Sequence, residues 1–401
     1  MSLERMWADL TDIGRDPATG GYHRFAWNDA DMTLREWFRS QAAERGLAVE
    51  EDGNGNQFAW WGDRTKGDAV LLGSHLDSVP DGGAYDGPLG VVSAFAVVDA
   101  LQAGGVEPAR PVVVANFSDE EGARFGVACA GSRLLTGTLT PERARALTDR
   151  DGRTFDEVLR SRGRDPEDLG VDPELLASFG VFVELHVEQG RALVDSGAAV
   201  GVASAIWPHG RYRFDFAGEA NHAGTTGMED RRDPMLTYAM TALAANKQAR
   251  LTGARATFGR VETHPNGTNA IASRVTGWLD ARAADGATLE ALLERINAQA
   301  ADRAQRDGTT VDIATESSSA VVEFDTDLRD RCGSLLGDAP VLPTGAGHDA
   351  GVLSTYGIPT AMLFVRNPTG VSHSPAEHAE WNDCVAGVEA LTTVVADLVR
   401  A

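Results

Sequence analysis

Imidazole and carboxylate side chains recur in this 401-residue chain where short apolar runs give way to polar, glycine-rich loops. GSHLDS carries His75 and Asp77, AYDGPLG carries Asp86, SDEEGARFG carries Glu120 and Glu121, ELHVEQG carries His186, and GVSHSPAE carries His373. Histidine and carboxylate ligands together suit borderline or harder divalent ions such as Zn²⁺, Mn²⁺, Co²⁺ or Ni²⁺. Two such ions side by side need a carboxylate between them to offset their repulsion. Asp86 is the candidate, in a glycine-rich loop whose backbone can come close to a cluster. Asp77, two residues beyond His75, is placed to accept the second imidazole N–H and fix its tautomer. Neighbouring side chains at a strand end diverge, so Glu120 and Glu121 are not expected to bind one ion in the same way. One can ligate while the other stays free beside water, takes its proton and passes it to a leaving nitrogen.

Taken singly, each residue has a plainer use: a surface histidine, a solvated acidic pair, an aspartate that shapes a turn. Shared context argues otherwise. His75, Glu120 and His186 each stand where a strand runs into a polar loop, and Asp86 and His373 lie in glycine-containing loops.

The elements that must position them follow from pattern. Residues 28 to about 45 read as a helix, with Asn28 as N-cap, Leu34, Trp37 and Phe38 on an apolar face, and Gly46 as the stop. AVLLGSH, PVVVANFSDEEG and VFVELHVEQG are continuous apolar runs leading into loops, as buried strands of an α/β sheet do. In such sheets sites form where strands end. The middle of the chain changes style. RYRFDFAG alternates, helices are expected near 233–249 and 288–300, and RATFGRVETH and VTGWLDAR read as strands between them. Leu289, Leu292, Leu293 and Ile296 share one face of the second helix. This β-α-β-β-α-β order is that of a small α+β domain. The expected organisation is an α/β domain over 1–209 and 326–401, interrupted by an α+β insertion over 210–325.

Composition narrows the partners. A net charge of −23 argues against nucleic acid and anionic membranes. Three widely spaced cysteines give neither a disulfide framework nor a thiolate metal site, and suit a reducing compartment. The acidic start MSLERMWADL is not a signal peptide, and no apolar stretch approaches the ~20 residues of a membrane span. A cytoplasmic protein is expected.

At these motifs the sequence resembles the amidase, hydantoinase/carbamoylase family, a branch of the dinuclear metallopeptidases. The branch includes N-carbamoyl-L-amino-acid hydrolases, allantoate amidohydrolases and β-ureidopropionases. GSHLDSVPDGGAYDGPLGV, DEEGARFG, ELHVEQG, NHAGTT, GAGHDA and GVSHSPAE occur in the family's order and approximate spacing across nearly the whole chain. The resemblance implies a di-metal exopeptidase-like catalytic domain with an inserted, ferredoxin-like dimerisation or lid domain. It implies two divalent ions per subunit, zinc or manganese with cobalt or nickel as alternatives. His75 and His186 would hold one, Glu121 and His373 the other, with Asp86 bridging and Glu120 as general acid/base. His222, reaching the active site of the partner in a homodimer, would stabilise the oxyanion. Asn269 and Arg282 would hold the substrate carboxylate, for which a planar guanidinium fork is suited, and Gln189 and His348 would line the pocket. HVEQG places a histidine where exopeptidase relatives typically present a carboxylate, which favours ureido substrates over peptides. The chain departs from the family at Gly227 and Ala272, where proline is frequent, and at His209, a candidate specificity feature.

The implied reaction is hydrolysis of a ureido (N-carbamoyl) carbon–nitrogen bond in a small carboxylate-bearing substrate, releasing ammonia and carbon dioxide. Allantoate stands ahead of N-carbamoyl-L-amino acids, and an N-formyl amino acid fits the same site. A dipeptidase or N-acyl-amino-acid deacylase is disfavoured by His186, and a serine hydrolase by the lack of a GxSxG elbow. A non-catalytic dimeric binding protein on the same scaffold is the reading of a different class, separable by whether a chelator abolishes turnover.

Overall fold

Runs of Val, Leu and Phe that can hide both faces become inner strands, whereas alternating runs become strands with one wet face. The computed structural model describes residues 2–400. The chain divides into two compact units, Met1–Ala205 with Glu323–Ala401, and Ile206–Val322. Both breaks fall a few residues before 210 and 326. In chain order the strands are β1 (Ala48–Glu51), β2 (Gln57–Trp61), β3 (Ala69–His75), β4 (Val112–Phe117), β5 (Phe179–Val187), β6 (Val200–Ile206), β7 (His209–Ala217), β8 (Asn221–His222), β9 (Arg255–His264), β10 (Ala270–Ile271), β11 (Arg274–Arg282), β12 (Thr310–Ser319), β13 (Val322–Glu323), β14 (Val341–Thr344) and β15 (Thr360–Val365).

The larger unit carries a nine-stranded sheet in the order β1-β2-β4-β3-β5-β15-β6-β13, with β14 also paired to β6. β4, β3, β5 and β15 run parallel and are edged by antiparallel β2 and β6. Every residue of β3 is buried. From β3 the chain crosses to β4 through the helix Pro88–Ala103, while β5 lies on the opposite side of β3. The C-terminal ends of β3, β4 and β5 therefore flank a point where strand order reverses, the usual place for a site in an open α/β sheet. The crossover helix is apolar all round, burying Val91, Val92, Phe95 and Val98. It needs both faces apolar because it is sandwiched between β3 and β5 and the closing helix Trp381–Leu398.

The first long helix runs Asp29–Glu44, with Asn28 Oδ1 accepting from the Asp31 backbone N–H at 2.8 Å and Gly46 closing it at φ 68. Residues 123–178, where sequence pattern gave no element, hold the short helices Ala130–Leu135, Pro141–Arg145, Phe155–Ser161 and Pro173–Ser178. The first three pack around Phe125, Leu134, Ala144, Phe155 and Leu159.

The smaller unit is a four-stranded antiparallel sheet, order β12-β7-β11-β9, with a two-stranded β10-β8 pairing beside it. Helices Pro234–Thr252 and Gly286–Asp307 join its strands in the β-α-β-β-α-β order of a ferredoxin-like fold. Leu289, Leu292 and Ile296 pack with Phe214, Phe216, Val275 and Leu279, while Leu293 is only partly buried. The second helix extends beyond residue 300 to Asp307, where Gly308 at φ 64 stops it. Among the described residues no helix is long and apolar enough to cross a membrane, and all three cysteines are buried and free.

Candidate metal centre

His75 closes β3, and its Nδ1 lies 3.1 Å from the carbonyl oxygen of Asp77. His186, near the end of β5, places Nδ1 2.9 Å from the carbonyl oxygen of Val187. A carbonyl only accepts, so both Nδ1 atoms carry a proton, and each Nε2 is left either to bind a cation or to take a second proton. Both Nε2 atoms are buried without a hydrogen-bond partner. They face the same oxygen, Asp86 Oδ1, at 3.5 Å from His75 and 3.2 Å from His186. Something positive must lie between each Nε2 and that carboxylate: a cation or, without one, a second ring proton. The residues thus fit a cation.

A second group forms on the other oxygen. His373 Nε2 is 3.5 Å from Asp86 Oδ2 and 3.4 Å from Glu121 Oε2. The ligand atoms of His75, Asp86 and His186, and separately of Asp86, Glu121 and His373, all lie within 4.8 Å of one another. Asp86 offers one oxygen to each group. Its Oδ2 also accepts from Gln189 Nε2 at 2.8 Å and lies 3.0 Å from Ser372 Oγ, so Gln189, expected in the pocket, orients this carboxylate. Gly87 follows at φ 85, and a Cβ there would stand 2.4 Å from the His75 ring, so glycine alone lets the loop lie against the imidazole.

Beyond β4 the backbone turns at Asp119, φ 55, and presents the Glu120 and Glu121 N–H groups to Asp77 Oδ1 and Oδ2, each at 3.1 Å. Two adjacent amides thus match two carboxylate oxygens, and Asp77 also flanks His75 Nδ1, with its carbonyl oxygen at 3.1 Å and its carboxylate at 3.5 Å. Glu120 and Glu121 then part company. Glu121 joins His373, whereas Glu120 lies outside both groups, with Oε2 3.7 Å from His75 Nε2 and Oε1 3.5 Å from the Cys129 thiol.

Burial governs the electrostatics. It holds Glu120 well above the usual carboxylate range, with Asp349, Glu121 and Asp77 adding repulsion and His75 opposing. Burial and Asp86 raise Glu121 likewise. Burial alone would depress His75, but Glu120, Asp77 and Asp86 outweigh it and draw the imidazole well above its ordinary value; in His186, too, Asp86 outweighs burial and raises the ring. His348 is buried with its ring 4.5 Å from that of His186 and its Nε2 unpartnered. Burial and the neighbouring His186 keep it well below the usual histidine range, hence neutral.

Three buried acids were not singled out from the sequence. Glu184 accepts from Ser74 Oγ at 2.7 Å and groups with His186 and His348. Asp349 accepts from Ser132 Oγ at 2.5 Å, and burial and Glu184 push it to about 7. Glu377 accepts the Tyr85 and Asp86 backbone N–H groups. Each stands within a few residues of a motif histidine, the signal that could have found them.

His222, Asn269 and Arg282 lie in the smaller unit. His222 is exposed on β8 opposite Ala270, its Nδ1 accepting from the Gly224 N–H at 3.0 Å. The Asn269 carbonyl accepts from the Ala223 N–H at 2.9 Å, which keeps Asn269 beside it. Arg282 ends β11 opposite His209 and forks onto Asp280 at 2.7 and 2.9 Å.

A strand-end cluster of this kind on a sheet with an inserted α+β unit defines a class of metal-dependent hydrolase scaffold, and similarity gives it a family. The chain belongs to peptidase family M20/M25/M40, whose sequence profile matches residues 71–397, and within it to the hydantoinase/carbamoylase amidases. It is 36% identical to an N-carbamoyl-L-amino acid amidohydrolase of Geobacillus stearothermophilus, over 99% of this chain and 98% of that protein. It is 31% identical to the allantoate amidohydrolase of Escherichia coli (strain K12), over 99% and 97%. Among solved structures, an amidase of the hydantoinase/carbamoylase family from Burkholderia vietnamiensis superposes with a TM-score of 0.88 at 29% identity, covering 99% of this chain and 97% of that one.

Proposed function

We propose that the protein hydrolyses the ureido carbon–nitrogen bond of a small carboxylate-bearing substrate with the help of two divalent cations. His75, His186 and Asp86 would hold one, and Asp86, Glu121 and His373 the other; zinc or manganese suits these donors, with cobalt or nickel as alternatives. The observation that carries this reading is Asp86, whose two oxygens each serve a separate ligand group. When bound, such ions supply Lewis acidity and a water acidified toward a pKa of about 7. Glu120, buried and outside both groups, takes the proton of the attacking water and returns it to the leaving nitrogen. Water adds to the ureido carbonyl, the carbon–nitrogen bond breaks, and ammonia and a carbamate leave, the latter giving carbon dioxide and the free amine. Neutral His348 is suited to touch the substrate without adding charge.

Arg282 and Asn269 are assigned to the substrate carboxylate and His222 to the oxyanion, in a homodimer formed through the smaller unit. An apolar stripe of Leu236, Met240, Leu243 and Leu251 on the helix Pro234–Thr252, with Val261 on edge strand β9, supports that pairing, since each is at least 45% exposed. The free cysteines fit a cytoplasmic setting. N-carbamoyl-L-amino acids stand ahead of allantoate, reversing the order read from the sequence, because the relative of that name shares 36% identity against 31%. The test is ammonia release by metal-loaded protein from several N-carbamoyl-L-amino acids, allantoate and N-carbamoyl-β-alanine, with formate release from N-formylglutamate measured beside it. Release from a carbamoyl amino acid supports the reading, and no ammonia from any of them rejects it.

A further inference from the structure

Glu377 is a buried acid without a part in the chemistry above. Its Oε1 accepts the backbone N–H groups of Tyr85 and Asp86, both at 2.9 Å. Its Oε2 lies 2.9 Å from the Ser372 hydroxyl, which is also 3.0 Å from Asp86 Oδ2. One carboxylate therefore ties the loop carrying Asp86 to the loop carrying His373, across 291 positions of sequence. Gly83 makes the contact possible. A Cβ there would stand 2.2 Å from Glu377 Oε1 and 2.5 Å from Glu377 Cβ, so any other residue would push the loops apart. The rings of Tyr85 and His378 meet edge to face at 6.0 Å on the same seam.

The two ligand groups differ in how they are supported. His75 and His186 belong to strands whose backbones are fixed by the parallel ladder. Only Asp86, shared by the two groups, brings a loop to the first, whereas all three members of the second, Asp86, Glu121 and His373, come from loops, and His373 has left-handed backbone at φ 54 and a side chain 50% exposed. Metal–ligand distances tolerate only a few tenths of an ångström, so a loop-borne group needs an external brace.

We infer that Glu377 is a positioning residue: by locking the Asp86 loop to the His373 loop it assembles the second cation site, and contributes little to the first. The inference rests on the two-cation reading. It is tested by stripping the full-length protein with a chelator and dialysing it to equilibrium against buffered Zn²⁺, with zinc per chain measured by elemental analysis. Wild type should take up two ions. Glu377→Ala should hold the first ion as wild type does and bind the second ~10–100-fold more weakly. Glu377→Gln should restore the second ion to near wild-type affinity, because its amide oxygen still accepts from both backbone N–H groups. Equal weakening of both ions in Glu377→Ala, or no weakening of either, overturns the inference. Should Glu377→Ala fail to fold, Ser372→Ala replaces it: a selective, smaller loss of the second ion supports the brace, and wild-type binding overturns it. Wild type that binds only one ion sinks the two-cation reading and this inference with it, whereas wild-type affinity for both ions in Glu377→Ala sinks this inference alone.

Discussion

In the proposed mechanism Glu120 and Glu121 take different jobs one peptide step apart. Asp77 fixes both backbone N–H groups, and the side chains then leave in different directions. Glu120→Gln, which keeps the shape and removes the base, should retain both ions by elemental analysis and lower ammonia release by ~10²–10⁴. Turnover above a few per cent would assign the proton transfer elsewhere. Protons also couple to the ions. Without cations, Glu120 and Glu121 are held up by burial and His75 and His186 by surrounding carboxylates, so the centre retains protons that ordinary carboxylates and imidazoles would have lost. Cation uptake must expel them, so affinity should strengthen as pH rises. A zinc titration in weak buffer should acidify the solution, and a flat pH trace would contradict this. The clustered histidines and carboxylates were legible because each sits in a distinctive motif, His75 and His186 at strand ends and the others in loops. Glu184, Asp349 and Glu377 were not, because an acid's burial depends on what folds over it.

At the scale of elements, the parallel strands were readable as continuous apolar runs ending in loops, and the helix Gly286–Asp307 from its apolar face. Residues 123–178 were not, since helices of five to seven residues are too short for a period to show. Their caps were available: Thr154 and Glu157 form a reciprocal capping box at the start of Phe155–Ser161. The junction at Gly87 exposes how tightly element ends are coupled to the site. Gly87→Ala imposes a disfavoured backbone costing on the order of 1–3 kcal/mol, with the collision against His75 in addition. It should lower the melting temperature of the metal-free protein and displace the first ion; an unshifted melt with full ion content would show that the loop can yield.

For the whole molecule, cations that bind only the folded state stabilise it. At free metal about 100-fold above Kd the gain is about 2.7 kcal/mol, which scanning calorimetry should record as a rise of several degrees. EDTA should abolish turnover and added metal restore it; full activity after exhaustive chelation would refute the metal chemistry. Leu243→Glu, at a position 66% exposed, should halve the sedimenting mass if the smaller unit pairs two copies. The insertion itself was recognisable as a change of pattern, but its edges were blurred, because β6 ends and β7 begins within a few residues. Its first and last strands are hydrogen-bonded neighbours, with His209 opposite Ser319, and the Phe324 N–H reaches the Ser204 carbonyl at 3.1 Å. Entry and exit are thus side by side, so residues 206–322 could be excised and the stumps rejoined by a short turn without stretching the chain. Such a trimmed protein should still fold and take up zinc while lacking every group assigned to the substrate carboxylate, divorcing the assembly of the centre from its use.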